Sequence, residues 1–397
     1  MATLLILLAS TSLESEVEAY LQETDMSFRW ERGVIADSVD DAFRVQPTGR
    51  LQFDLDGRDS DSGLAPALTQ NHVGFARVWL GIKGHLNRRV SFWVEADFAT
   101  GSPALRDVYI GLKNVGPGFV RIGHFRRPFG LDILTSSNDR TFVARAPAAE
   151  AFQPGYDAGI GWRGRFGEAK RIWLAVGTFF DTNASARASG EGGWGFAVRF
   201  GGLPVEREDS FVWLAVAFDY QNLRMSGQRV RYGARPATSL GIRAVDTGAI
   251  EADDAWRIGV EAAARFGSVH AHAEANWARP NAEGDPLLSG VYVQVGWFLT
   301  GERRVWAGHR AVWGMNRPTT NFGDGRGAWE IAVRWDATDL DDGAVNGGKI
   351  QSITAGLNWY WNPNARVLFN YVYADIEDAP TGSGTMNAVI VRWILRF

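Results

Sequence analysis

From Phe43 onward the chain alternates apolar and polar residues with a period of two, in stretches of about ten residues. RVSFWVEADF places Val90, Phe92, Val94, Ala96 and Phe98 on one face, and Ser91, Trp93, Glu95 and Asp97 on the other. WRIGVEAAARF sets Trp256, Ile258, Val260, Ala262, Ala264 and Phe266 against Arg257, Glu261 and Arg265. VHAHAEANW opposes Val269, Ala271, Ala273, Ala275 and Trp277 to His270, His272, Glu274 and Asn276, and WEIAVRW opposes Trp329, Ile331, Val333 and Trp335 to Glu330 and Arg334. Successive side chains of a strand point to opposite faces, so these faces meet different media. Charges of both signs crowd the polar face, which fits a water-filled lumen better than a sandwich core. About ten residues is the length of a tilted strand crossing a bilayer, and the aromatics at the ends of the stretches read as interfacial girdles. The expectation is an all-β chain closed into a transmembrane barrel, with Val260 and Val333 facing lipid near mid-bilayer. Arginine at either should cost about 2–4 kcal/mol, whereas arginine at the neighbouring Glu261 should be mild.

The competing fold is a soluble all-β sandwich or propeller, since 397 residues would also hold two or three soluble domains. Composition favours the barrel: 46 glycines, 17 tryptophans and 23 phenylalanines accompany a mean hydropathy of only −0.16. No run of about 18 apolar residues is present to span a bilayer as a helix. No linker or shift in composition marks a second domain. The absence of cysteine excludes disulfides, thiol catalysis and cysteine metal sites. A net charge of −4 argues against nucleic acid as a partner. Of the 41 basic residues only Lys83, Lys113, Lys170 and Lys349 are lysines. That bias reflects either genomic base composition or a demand for the bidentate guanidinium, which suits oxyanions.

Parity sharpens the count. Every β-like run, including RRVWAGHRAVW at 303–313, makes seventeen, whereas a bacterial barrel takes an even number and starts and ends in the periplasm. Setting that run aside leaves sixteen strands and a long periplasmic connection over 301–326. Its polar backbone is satisfied if it folds into the lumen. Gly84–Arg88, Asn114–Gly118, Gly167–Lys170, Gly267–Ser268 and Asn362–Asn364 read as periplasmic turns, and 57–71, 126–157, 181–193, 222–253 and 279–289 as external loops. Residues 1–42 read as a truncated signal peptide around LLILLA (4–9), followed by a short acidic helix or spacer; residues 43–397 are the barrel. The terminal NAVIVRWILRF places Val389, Val391, Trp393, Leu395 and Phe397 on one face and resembles the assembly signal that ends outer-membrane barrels.

Little in the chain points to catalysis: GxSxG, HExxH and GxxxxGK[ST] are all missing. His270, His272 and Glu274 share a face, where lumen lining is the expectation rather than a metal site; no cofactor is expected. The aspartates of DATDLDD (336–342) lack the glycine and glutamate positions of an EF-hand loop and read as a hydrated external loop, with a calcium or lipopolysaccharide-ion contact as the alternative.

Several long motifs resemble the phosphate-selective porin O and P family. They are RIGHFRRPFGLDILTSSNDRTFVAR (121–145), FLTGERRVW (298–306), GAWEIAVRWDATDLDD (327–342), GLNWYWNPNARVLFNYVYAD (356–375) and the final RF. The resemblance covers roughly 43–397 and implies a trimeric, sixteen-stranded outer-membrane porin, passive and anion-preferring, with external loops at 126–157 and 222–253 and the connection at 301–326 folded into the pore. It also implies an arginine path for small anions such as phosphate or polyphosphate. Arg50 and Arg77 match wall positions, and Arg229, Arg231 and Arg235 match a loop ladder that Arg224 and Arg243 extend. Arg126, Arg127 and Arg145 lie in the constriction-loop motif, with Arg140 beside them. Such a file would exchange an anion's hydration for charge-assisted hydrogen bonds. Two departures bear on a tight phosphate site: Asn138 stands where phosphate-binding members carry lysine, and Ala76–Arg77 where they carry paired arginines. The rival readings are a weakly selective general porin and a structural or adhesive barrel without a conducting pore, which single-channel conductance would separate. The expected surroundings are outer-membrane lipid and lipopolysaccharide.

Overall fold

A computed structural model describes residues 26–30, 33–99, 101–187, 193–224 and 229–397. The alternation becomes sixteen antiparallel strands closed into one barrel. In chain order they are β1 (Phe43–Ser60), β2 (His72–Leu86), β3 (Val90–Asp97), β4 (Ala104–Val115), β5 (Gly118–Arg126), β6 (Tyr156–Phe166), β7 (Ile172–Phe180) and β8 (Trp194–Glu206). There follow β9 (Ser210–Asn222), β10 (Asp254–Phe266), β11 (Val269–Pro280), β12 (Leu288–Phe298), β13 (Ala328–Asp342), β14 (Val345–Tyr360), β15 (Ala365–Ala379) and β16 (Gly382–Arg396). Each pairs with the next, and β16 closes on β1 from Met386↔Ser60 to Arg396↔Arg50. At the seam Phe397 exchanges backbone hydrogen bonds with Gly49 (2.9 and 3.1 Å). Its ring lies so close over Gly49 that a Cβ there would come within 2.3 Å of it, which explains a glycine at that point.

The facing assignments hold. Val260 and Val333 are 43% and 51% exposed on the outer wall, while Glu261 and Arg334 are buried inside. Short turns gather at one end of the barrel and long loops at the other. The run at 303–313 is no strand of the wall. Within the connection after β12, Trp306–Ala307 pairs with Val312–Trp313 as a minimal hairpin inside the barrel, and Trp313 is 1% exposed against Phe211 and Trp213.

Two segments differ from the sequence expectation. The expectations for residues 1–25 lie outside the described residues, but Met26–Trp30 and Val34–Ser38, assigned to a spacer, form a hairpin that pairs with the start of β1 through Ala36↔Val45 and Asp37↔Arg44. The aspartates at 339–342 belong to β13 rather than to a loop: its ladder with β14 continues to Asp342↔Val345 past a bulge, and Asp339 pairs with Lys349 at 3.1 Å.

Two external loops turn inward. Loop 127–155, carrying the one-turn helices α1 (Leu131–Leu134) and α2 (Pro147–Glu150), is buried for almost its whole length. Loop 223–253 packs Tyr232, Ala234, Ala244 and Val245 onto lumen-facing Leu340, Ile350, Leu368, Val372, Ile376 and Ile390 of β13–β16. These residues form an apolar core within the lumen, and the open space lies along the wall made by β1–β7.

Candidate functional site

The open space consists of three cavities with shared walls. At the loop end lies one of about 510 Å³ into which β2, β4 and β5 contribute Arg77, Arg106 and Arg126. The constriction loop adds Arg140 and Arg145, and loop 223–253 adds Arg231, Arg235 and Arg243. Among its described lining residues Glu150 is the single carboxylate, and Arg235 holds it at 2.6 Å. Trp79, Arg126 and Tyr156 also line a second cavity of about 140 Å³ further in, and so form the neck between the two. Arg50, Trp93, Glu95, Ser136 and Arg310 are shared between this inner cavity and a third of about 170 Å³, which reaches Asn364, Arg396 and Phe397 at the short-turn end.

Local irregularities aim the wall arginines. The β1–β2 register runs from Gln52↔Arg77 to Phe53↔Phe75, so Ala76 is the extra residue of a bulge. Arg77 thereby faces inward beside Gln52, bonded to its Oε1 at 2.8 Å. A second bulge, where Val94↔Val108 gives way to Ala96↔Leu105, shifts the phase of β4. Strict alternation would put Arg106 on the lipid face with Val108 and Ile110, and this is why periodicity missed it. In the structure Arg106 bonds Asp97 at 2.8 Å and lies 5.1 Å from the Trp79 ring.

The eleven arginines expected from the sequence take four kinds of position. Arg77, Arg126, Arg140 and Arg145 meet in the loop-end cavity with few counter-charges. Among the described residues Arg77, Arg126 and Arg140 form no ion pair, and the Arg145 Nε lies 3.9 Å from Asp132. The Nε atoms of Arg140 and Arg145 are buried without a partner. Burial, then Arg126, pushes the Arg145 guanidinium down to about 10; burial, then Arg145 and Arg77, lowers that of Arg140. Arginine stays charged in proteins, so these shifts register buried positive charge that Asp132 and Glu150 offset only in part. An anion would neutralise it.

Arg231, Arg235 and Arg243 also reach this cavity, but each has a carboxylate: Asp246 for Arg231 (2.6 Å) and Arg243 (3.2 Å), and Glu150 for Arg235. Arg50 stands one cavity further in, bonded to Glu95 at 2.9 Å and 4.2 Å from the Trp79 ring. Arg127, Arg224 and Arg229 do not join the cavities. Arg127 is fully buried and distributes its guanidinium over Asp157 (2.8 Å), Asp181 (2.8 Å) and Asp219 (3.2 Å), as a brace of the wall. Arg224 and Arg229 lie on the outside, 62% and 64% exposed, beside Asp253 and Glu251.

The remaining polar groups hold the constriction loop. The Glu274 carboxylate accepts the backbone N–H groups of Leu131 (3.0 Å) and Asp132 (2.7 Å), with His272 at 3.0 Å; His270 bonds Glu330 at 2.6 Å. Asn138 presents its side-chain oxygen to the Gln52 amide at 3.0 Å. Sequence reasoning also passed over Arg121, Arg163 and Arg310, which line the inner cavity. The first two were legible as arginines on the polar face of short strands.

Comparison with known proteins agrees with this geometry. The model of a family described as phosphate-selective porin O and P matches residues 45–397. Porin O of Pseudomonas aeruginosa is 24% identical over 402 aligned residues, covering 91% of this chain and 89% of that protein. Among solved structures, the trimer form of OmpT, an outer-membrane protein of Vibrio cholerae, aligns with a TM-score of 0.55 at 13% identity over 90% of this chain and 100% of its own. An anion-selective porin from Comamonas acidovorans aligns with a TM-score of 0.52 at 13% identity over 89% of this chain and 100% of its own.

Proposed function

Since the chain belongs to the phosphate-selective porin O and P family and is a porin of the bacterial outer membrane, we propose that it conducts small anions by passive diffusion along the arginine wall of its lumen. The observation that carries this is the loop-end cavity, with eight guanidiniums and one carboxylate in a chain whose net charge is −4. Selectivity follows the local field rather than the sum over the molecule. An anion entering from the loop side exchanges water for hydrogen bonds from Arg235, Arg145 and Arg77 in turn, and the neck of Trp79, Arg126 and Tyr156 admits it further. Several similar sites let it leave again. Phosphate and polyphosphate are the solutes proposed, on the strength of the family. The porin acts as a homotrimer, a reading supported by the trimeric form of its structural neighbour. Its apolar outer wall meets lipid and lipopolysaccharide.

The test is the reversal potential in a planar bilayer under a salt gradient, for wild type and for Arg77→Gln/Arg145→Gln/Arg235→Gln. The variant should lose most of its anion preference and be blocked less by phosphate on the loop side. An unchanged reversal potential in a folded, heat-modifiable variant would show that the arginine cavity is not the path.

A further inference from the structure

At the seam between β16 and β1 the outer wall is apolar down to the last residue of the chain. Val389, Val391, Trp393, Leu395 and Phe397 follow one another along the outward face of β16, so lipid accompanies the seam as far as its turn end. There β16 stops, at Phe397 opposite Gly49, whereas β1 runs on past it to Phe43. The strand Val34–Ser38 takes the place of β16 beside this last part of β1, through Ala36↔Val45 and Asp37↔Arg44, and Met26–Trp30 pairs on its far side. Gly33 abuts the end of β16, since a Cβ there would come within 3.2 Å of the Phe397 carbonyl carbon.

Register fixes which way this hairpin faces. Residues opposed across an antiparallel pair share a face. On β1, Val45 has the phase of the lipid-facing Leu51, Phe53 and Leu55, and Arg44 that of the lumen-facing Arg50 and Gln52. Ala36 therefore continues the lipid-facing wall, and with it Val34, Phe28 and Trp30, which are 47%, 54% and 70% exposed. The opposite face is closed. Ile35 and Asp37 are buried there, and Asp37 accepts hydrogen bonds from Arg29 (2.9 Å) and Arg44.

We propose that the hairpin is a foot on the membrane: Phe28, Trp30 and Val34 seat in the phospholipid headgroup layer of the inner leaflet and hold the barrel seam there. Continuity with the lipid-facing wall names the occupant, because the three side chains carry that wall's apolar chemistry on past the end of β16. The backbone sets the depth. Among the described residues Met26–Trp30 has a ladder on one side only, so its other edge keeps unpaired N–H and C=O groups. Such an edge is excluded from hydrocarbon but not from the headgroup layer, where water reaches it and tryptophan is enriched. The apolar face then enters by about 5–10 Å, the depth of other amphipathic segments that lie in that plane. This surface is independent of what the pore conducts.

Because the chain has no cysteine, a single introduced one can carry a nitroxide label without competition. The whole porin is reconstituted into vesicles of phosphatidylethanolamine and phosphatidylglycerol, and the label's accessibility to oxygen, which concentrates in lipid, is compared with that to a water-soluble nickel chelate. Val260→Cys on the outer wall gives the lipid value and Arg224→Cys on the exposed loop gives the water value. The oxygen-to-nickel ratio at Val34→Cys should fall between the two. Adding Phe28→Ser and Trp30→Ser should drop it to the water value, while Phe28→Leu with Trp30→Phe should keep it. A water value at Val34→Cys in the otherwise unchanged chain overturns the foot. So does a ratio that the serine pair leaves unaltered. A label closed to both reagents and broadened by a second label nearby also overturns it, and makes another copy of this chain the occupant. Should the serine pair fail to give heat-modifiable barrels, Trp30→Ser alone decides by the same ratio.

Discussion

The two halves of the lumen wall use the same side chain for opposite purposes. On β13–β16 and the inserted segment, arginines spend their donors on the constriction loop. Arg304 donates to the Asp139 carbonyl (2.5 Å), Arg366 to that of Arg140 (2.8 Å), Arg392 to that of Val143 (2.6 Å) and Arg334 to that of Ala144 (3.0 Å). Asn358 takes the Thr141 carbonyl between them at 2.8 Å. Arg392 is also bidentate to Asp54 at 2.5 Å, and Arg304 reaches Glu330 at 3.3 Å. On β2–β6 the guanidiniums of Arg77, Arg121, Arg126 and Arg163 form no ion pair among the described residues and line open space, although Arg126 also donates to the Ile133 carbonyl of the constriction loop. A guanidinium surrounded by acceptors is a structural clamp, and one without them keeps donors available to an anion.

The largest effects should come from the clamped half. Arg392→Ala leaves Asp54 buried and unpaired and should destabilise the barrel by about 3–5 kcal/mol, read as a lower temperature of the heat-modifiable gel shift. Glu261→Arg belongs in the same class and corrects the expectation of a mild change. Glu261 is bidentate to the buried Arg199 at 2.6 Å, and Arg199 also donates to the Ala311 carbonyl at 2.9 Å, so the exchange would set two guanidiniums against each other. A gel shift at the wild-type temperature for either variant would break the comparison.

Val260→Arg comes next, at about 2–4 kcal/mol for a charge at mid-bilayer. It ranks below Glu261→Arg because a lipid-facing arginine can extend its head towards the interface. Folding yields in detergent or lipid vesicles would show the order, and a reversed order would undo the facing argument.

In the open half the sign should change. Arg140→Gln removes a charge that Arg145 and Arg77 repel, so the unfolding temperature should hold or rise while the reversal potential moves towards zero. A variant of lower stability and unaltered selectivity would move Arg140 to the clamped class. Smallest of all are Arg224→Ala and Arg229→Ala, exposed pairs expected to change stability by less than about 1 kcal/mol and conductance hardly at all.

Much of the fold was legible because a strand has a period of two and one medium on each side. That rule placed Val260 and Val333 outward, Glu261 and Arg334 inward, and with parity removed 303–313 from the wall. It failed where the period slips. Arg106 was lost at the bulge opposite Glu95, and the aspartates at the end of β13 looked like loop because acidic residues there face outward beside a turn. The apolar inner face of β14–β16, with Ile350, Leu368, Val372 and Ile390, is covered by loop residues from distant parts of the chain, a contact that alternation along one strand does not record.

The sequence by itself determined the barrel, the number of its strands, which side chains face water and the supply of arginines, since all of these follow from local alternation and composition. Only the tertiary structure decided which arginines are free. Arg126 and Arg127 are neighbours in one motif, yet one lines the neck and the other is consumed by Asp157, Asp181 and Asp219, carboxylates that lie 30 to 92 positions away. Charge is neutralised by whatever stands within a few ångströms in space, and a period along the chain carries no record of that neighbour.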